Sequence, residues 1–314
     1  MAKDMYQKRK ERKEKKLGAE NTDEKSFASS RINWYPGHMT KAKRLMEESM
    51  KAVDMVIEIR DARIPQASKN PMIDQLIQQK PRLILLSKKD KASPLETQKW
   101  QEYFKSEGIA ALPIDFLTEN VTSIIVKACQ ELMKEKIEKQ KSRGIRPRAI
   151  RAMVVGVPNV GKSTMINRVV KRKIAASANR PGVTKALQWI RLNNEVELLD
   201  TPGILWPKFE DQEVGYYLAL TGAIRDEVVP LEEVAAFGMK KLMENDPQIL
   251  KKHYGIELVG DEYQMLENLG KKKNLIQSGG EVSYEKTVLF FLTELRNDKC
   301  GMITWEKVND KDDK

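Results

Sequence analysis

The sequence predicts an α/β protein: a mostly parallel sheet with helices on both faces, followed by a smaller α-helical domain. Three observations lead there. Between residues 54 and 199, short apolar runs of strand length alternate with helical patterns, as βαβ units do. A glycine-containing phosphate-loop sequence sits between one such run and a helical pattern. After Phe209 only helical spacing remains.

Length and composition set the frame. At 314 residues the chain is long enough for about two domains, each with a core of its own. The 56 Lys+Arg outnumber the 45 Asp+Glu, for a formal charge of +11. That excess favours an acidic partner, of which nucleic acid is the commonest. Cys129 and Cys300 are too few for a disulfide scaffold and lack metal-ligand spacing. No apolar stretch approaches the roughly 18 residues that cross a bilayer. The Lys-rich N-terminus has no secretory apolar region, and its acids (Asp4, Glu11, Glu14, Glu20, Asp23, Glu24) argue against a transit peptide. A cytoplasmic, monomeric protein without a membrane partner is expected.

Taken in order, residues 1–30 are a basic, mixed-charge tail without apolar periodicity, expected to be flexible. Helical spacing runs from Met39 to Val53 and a strand from Asp54 to Ile59. A helix over Pro71–Gln79 leads to Arg82–Leu86, a short apolar run typical of a buried parallel strand. Next come a helix over Pro94–Ser106, a strand over Ala110–Ile114 and a helix over Val121–Lys139. Lys134–Arg151 carries eight basic residues against two acids, with Gly144 and Pro147, and reads as a surface linker or helix end. Then follow a strand over Ile150–Val155, a helix over Lys162–Val170 and a strand pair, Ala186–Leu192 and Val196–Leu199. Asn193-Asn194 suits a tight hairpin turn between them. The expected domains are 31–208 and 209–305, with a short tail over 306–314 and no internal repeat.

Four motifs carry chemistry. Gly156-Val157-Pro158-Asn159-Val160-Gly161-Lys162-Ser163, with Thr164 next, follows a strand and opens a helix. Backbone N–H groups of such a loop converge on phosphate at a helix N-terminus. Lys162, on an exposed loop, would reach the β and γ phosphates, and Ser163 would ligate Mg²⁺. Asp200-Thr201-Pro202-Gly203 ends a strand. There Asp200 suits the Mg²⁺ shell, and Gly203 lets a backbone N–H approach the γ-phosphate. Thr184, in Arg180-Pro181-Gly182-Val183-Thr184, is placed as a mobile switch threonine on Mg²⁺. Ser87-Lys88-Lys89-Asp90 ends the strand Arg82–Leu86, where ligands bind in open α/β sheets. A carboxylate at Asp90 would accept from the ring N–H and the exocyclic amine of guanine, a donor pair that adenine lacks. The Lys88 stem would lie along the base.

In an ordinary GTPase the phosphate loop comes first and the guanine-reading motif late. Here 87–90 precedes 156–163. The chain thus resembles a circularly permuted GTPase, and specifically the ribosome biogenesis GTPase A family (YlqF/RbgA). The four motifs carry that resemblance. So do Trp34-Tyr35-Pro36-Gly37-His38-Met39-Thr40-Lys41-Ala42, Asp61-Ala62-Arg63-Ile64-Pro65 and Gly279-Gly280-Glu281-Val282. It spans roughly 31–305. One departure is Ser87, where the family has an Asn whose amide bonds the base and braces the phosphate loop. The shorter Ser predicts weaker nucleotide binding with base choice retained.

The resemblance implies GTP and GDP as ligands with Mg²⁺, and the large (50S) ribosomal subunit, rRNA and protein, as partner. Asn159 matches a phosphate-loop Asn that binds K⁺ in related GTPases. Ile204 follows Gly203 where many GTPases place a water-orienting Gln, so slow intrinsic hydrolysis is expected. The resemblance offers His38 as the catalytic group instead. Lys240-Lys241, Lys251-Lys252 and Lys271-Lys272-Lys273 are placed as RNA-phosphate contacts in the helical domain. The chain after Gly203 leaves through Ile204-Leu205-Trp206-Pro207 into that domain, so nucleotide state would bias a whole domain. Two rival readings stay open: a nucleotide-gated RNA-binding switch with incidental hydrolysis, and a P-loop ATPase or kinase.

Overall fold

A computed structural model describes residues 37–77, 80–170, 187–206, 209 and 211–308. It divides into two compact units. The first is an α/β unit. After helix α1 (Gly37–Ser49), it runs β1 (Met55–Asp61), α2 (Pro71–Ile77), β2 (Arg82–Ser87), α3 (Pro94–Ser106) and β3 (Ala110–Ile114). Helices α4 (Val121–Leu132) and α5 (Lys134–Ser142) lead into β4 (Ile150–Gly156), α6 (Lys162–Val170), β5 (Gln188–Arg191) and β6 (Val196–Asp200).

The six strands lie in the order β3-β2-β1-β4-β6-β5. All neighbours are parallel except β5 and β6. All seven residues of β1 are buried, as a central strand covered on both faces requires. Register sets Asp61 opposite Ser87, Ser87 opposite Ile114, Ile59 opposite Gly156, and Val154 opposite Asp200. The carboxyl ends of five strands thus form one edge, and residues 87–90, 156–163 and 200–203 lie along it.

Local signals explain the helices. In α3 the Ser93 hydroxyl accepts from Glu96 N, Pro94 opens the helix, and Trp100 and Phe104 bury one turn apart. In α4 Asn120 caps the N-terminus, and Val121, Ile125 and Cys129 bury at helical spacing. The single helix expected over 121–139 is two. Met133 leaves helical geometry (φ −100°, ψ 5°) and is buried, whereas α5 buries no residue at all. The turn after Leu192 is also longer than a two-residue hairpin. The Asn193 carboxamide accepts from Glu195 N and Val196 N, both at 2.9 Å, and so extends the turn to Glu195.

The second unit, Phe209–Gly301, is helical. It comprises α7 (Gln212–Leu220), α8 (Leu231–Asn245), a π-helical turn over Leu250–Tyr254, α9 (Glu262–Lys272) and α10 (Tyr284–Arg296). The guanidinium of Arg296 grips Asp226 at 2.8 and 2.9 Å and donates to Ala219 O, fixing the end of α10. The expected boundary at 305 is corrected. From Met302 the chain belongs to the α/β unit, because Ile303 and Trp305 bury there and the backbone bonds to Lys91 and Arg63. The tail over 1–30 lies outside the described residues.

Candidate nucleotide site

The phosphate loop is shaped by close packing. A Cβ on Gly156 would lie 2.8 Å from Ile59 O and 2.9 Å from Val160 Cγ1, so no side chain fits where β4 ends. Asn159 holds φ at +56° and is exposed, as is Thr164. Val160 is buried and Gly161 turns at φ +104° into α6, which Lys162 and Ser163 open. Gly203 packs on this loop, with its Cβ direction 3.1 Å from Pro158 Cα. The 200–203 turn and the phosphate loop are therefore in direct contact.

Lys162 is not on an exposed loop. It is 6% exposed, and its ammonium lies 2.8 Å from Asp200 Oδ1. The cation meant for phosphate and the carboxylate meant for the metal shell hold each other. Ser163 and Asp200 are hard oxygen donors, and among the described residues no cluster of three His, Cys, Asp or Glu exists. This donor set fits Mg²⁺, which takes one or two protein ligands beside phosphate oxygens.

The turn over residues 87–90, expected to read the base, is organised from below. Ser87 is fully buried. Its hydroxyl donor faces two acceptors, Val160 O at 2.6 Å and Arg60 O at 3.0 Å. Short as it is, Ser87 thus hydrogen-bonds the phosphate loop directly. Lys88 sits in the left-handed region (φ 57°) and turns its ammonium onto Asp61 Oδ2 at 2.8 Å. Burial pulls Lys88 below the usual lysine range, with Asp61 acting against it. Burial pushes Asp61 upward, but Arg63 and Lys88 overcome it and hold its carboxyl far below the usual range. Arg63 grips Asp61 at 3.0 and 2.9 Å. Lys89 pairs with Glu119 at 2.8 Å, and Asp90 is exposed at the tip.

Several residues at this edge carry no sequence signal of their own. The turn after β3 is folded by Asp115, which accepts from Leu117 N, and by Glu119, which accepts from Asp115 N. Phe116 packs 3.4 Å from the Cβ direction of Gly161. Asn70, fully buried, donates to Ile204 O at 2.9 Å and accepts from Met72 N. It thus pins the chain just past Gly203. Ile204 and Leu205 are buried, and Ile204 offers no polar group to a water. His38 lies in the first turn of α1, and Thr184 falls outside the described residues.

In the helical unit the basic clusters are largely engaged. Lys240, Lys251 and Lys271 pair with Glu244, Glu257 and Glu267. Lys241 and Lys273 lie over aromatic rings. The Gly279-Gly280 turn closes with Gln277 N donating to Glu281 O at 2.9 Å.

Residues 156–163 lie between β4 and α6, Asp200 ends the neighbouring strand and residues 87–90 follow β2 two strands away, the placement expected of a P-loop GTPase. The base-reading half comes first in the chain, so the domain is circularly permuted. The comparisons agree. Residues 151–252 match the family described as 50S ribosome-binding GTPase. Ribosome biogenesis GTPase A of Bacillus licheniformis is 48% identical over 280 residues, covering 89% of this chain and 99% of that protein. Its counterpart in Priestia megaterium is 49% identical over 277 residues, covering 88% and 96%. The GNP-bound crystal structure of YlqF from Thermotoga maritima superposes with a TM-score of 0.58 at 30% identity, covering 85% and 98%. The chain belongs to the ribosome biogenesis GTPase A family.

Proposed function

We propose that this protein hydrolyses GTP as an assembly factor for the large ribosomal subunit, with nucleotide state controlling its binding and release. One observation supports the reading above the rest. The base-reading turn, the phosphate loop and the 200–203 turn share one sheet edge, and the first two are hydrogen-bonded through Ser87 and Val160. Asp90 selects guanine, backbone N–H groups at the start of α6 and Lys162 hold the phosphates, and Gly203 closes on the terminal phosphate. Ser163 and Asp200 would hold Mg²⁺, which would supply charge neutralisation of the phosphates. The helical unit contacts rRNA through those lysines that its own acids and rings leave available.

Steady-state hydrolysis with and without purified large subunits tests the proposal. Subunit-stimulated GTP turnover with no comparable ATP turnover is expected. Equal affinity for ATP and GTP would sink the base assignment and favour an ATPase. A second reading, an RNA-binding switch with incidental hydrolysis, draws on buried Ile204, which cannot orient the attacking water. Guanine-specific binding without subunit stimulation would select it.

A further inference from the structure

The segment that returns from the helical unit makes contacts out of proportion to its length. Ile303 N donates to Lys91 O at 3.0 Å, and Trp305 N donates to Arg63 O at 2.8 Å. The Thr304 hydroxyl accepts from Ser93 N at 3.0 Å. The Glu306 carboxylate accepts from Gln66 N at 2.7 Å and from Ala67 N at 2.9 and 3.1 Å. Its backbone carbonyl accepts from Trp100 Nε1 at 3.0 Å. Thr304 is 1% exposed and Glu306 8%. Four successive residues therefore stitch together two loops that β1 and β2 send out from the sheet edge.

Those two loops hold the base-reading turn from both sides. Lys91 and Ser93 lie one and three positions past Asp90. The other loop begins at Asp61, whose carboxylate anchors Lys88, and its Ala62 N donates to Ser87 O at 2.8 Å. It is closed by Ser68, whose hydroxyl accepts from Asp61 N at 3.0 Å and donates to Ile64 O at 2.6 Å. Asp90 stands exposed at the tip of a turn whose preceding residue but one has a left-handed backbone. Its carboxylate can be aimed only by the backbone on either side. The turn is closed by its own bonds, Lys91 N to Lys88 O at 3.0 Å and Ala92 N to Lys89 O at 3.3 Å, and Thr304 and Glu306 brace the backbone on its two flanks, at Ser93 and at Gln66-Ala67.

We propose that Met302–Glu306 is a strap that sets the geometry of guanine recognition, with Thr304 and Glu306 as positioning residues for Asp90. The proposal rests on the base-reading assignment of 87–90. The strap follows α10 after a five-residue connection. Neither residue touches nucleotide. Their effect falls on base selection, while the phosphate loop, held by β4 and α6, keeps its grip on the phosphates.

The test measures affinity of the full chain for guanosine diphosphate and for inosine diphosphate, which lacks the exocyclic amine that Asp90 accepts from. The Thr304→Val/Glu306→Ala double variant is expected to shrink the preference for the guanine nucleotide by about tenfold, chiefly through weaker guanine binding. Glu306→Gln keeps one acceptor oxygen, folds under milder strain and should restore part of the preference. A thermal melt accompanies each variant. An unchanged guanine-to-inosine ratio overturns the strap, even if both affinities or the melting temperature fall, because that is what a structural role alone would give. Asp90→Asn, measured in parallel, separates the two failures. If it leaves the preference intact, the base assignment itself is wrong. If it abolishes the preference while the strap variants keep it, only the strap proposal falls.

Discussion

The Ser87 hydroxyl reaches the Val160 carbonyl at 2.6 Å, joining two motifs that stand 73 positions apart in the chain. The short side chain reaches it because Ser87 ends β2 directly beside Asp61 of β1, close under the phosphate loop. The base side and the phosphate side of the site are thus one hydrogen-bonded body.

Ser87→Ala removes that donor and leaves the Val160 carbonyl without it in a buried place. A loss of about 1–3 kcal/mol in stability is expected, with faster release of a fluorescent GDP analogue in stopped flow. Unchanged melting and unchanged release would show that the contact braces nothing.

Lys162→Ala should abolish tight triphosphate binding and also destabilise the protein. It strands the Asp200 carboxylate in a buried site, for which a cost of about 3–5 kcal/mol is typical. Lys162→Ala/Asp200→Asn should recover much of the melting temperature but none of the GTP affinity. A single variant as stable as the parent would contradict the pairing.

Asp90→Asn is expected to weaken GTP and to admit xanthosine triphosphate, because an amide donates to the xanthine carbonyl where a carboxylate only accepts. Titration with both nucleotides decides it. Unchanged GTP affinity defeats the assignment.

His38→Ala tests the catalytic expectation. Turnover on the large subunit should fall roughly 10²-fold or more while GTP and subunit affinities hold. If His38 only supports the first turn of α1, the change is instead about 1 kcal/mol of stability with turnover preserved.

Both thiols should resist alkylation in the folded protein. Burial pushes Cys129 up to about 12, and burial pushes Cys300 up to about 11 although the Tyr254 hydroxyl acts against it. Iodoacetamide at pH 8 should modify neither until denaturant is added. Since both values are raised in the folded state, their contribution to stability is complete below the ordinary thiol value of 9.0 and is lost as pH rises beyond it. Rapid native labelling would refute the burial.

The sheet and its motifs were legible because buried parallel strands such as Arg82–Ser87 are short continuous apolar runs, and because nucleotide chemistry demands particular residues at fixed spacing. What escaped reading depends on contacts distant in sequence. Glu306 meets Ala67 across 239 positions, with a backbone N–H as partner, and no residue pattern announces an acceptor for a backbone group. Lys162 looked exposed because nothing local shows that Asp200 lies within 2.8 Å. The charges within β1 are similar. Glu58 and Arg60 interrupt an apolar run, yet they bury as a pair at 2.9 Å. Met133 broke a helix that the helical spacing alone would have continued.

The strand order has a consequence for how the molecule is made. Strands β1, β2 and β3 are neighbours in both sequence and space, as are β4, β5 and β6, and the single pairing of β1 with β4 joins the two trios. As the chain emerges from the ribosome, the pairings within the first trio can all form before any of the phosphate loop has been translated. Of its two open flanks, β3 and β1, the latter is the one that β4 joins. Contacts between segments close in sequence cost less loop-closure entropy than distant ones. The permutation therefore reverses the order of synthesis, so that the strands leading to residues 87–90 are made before those leading to 156–163 and 200–203.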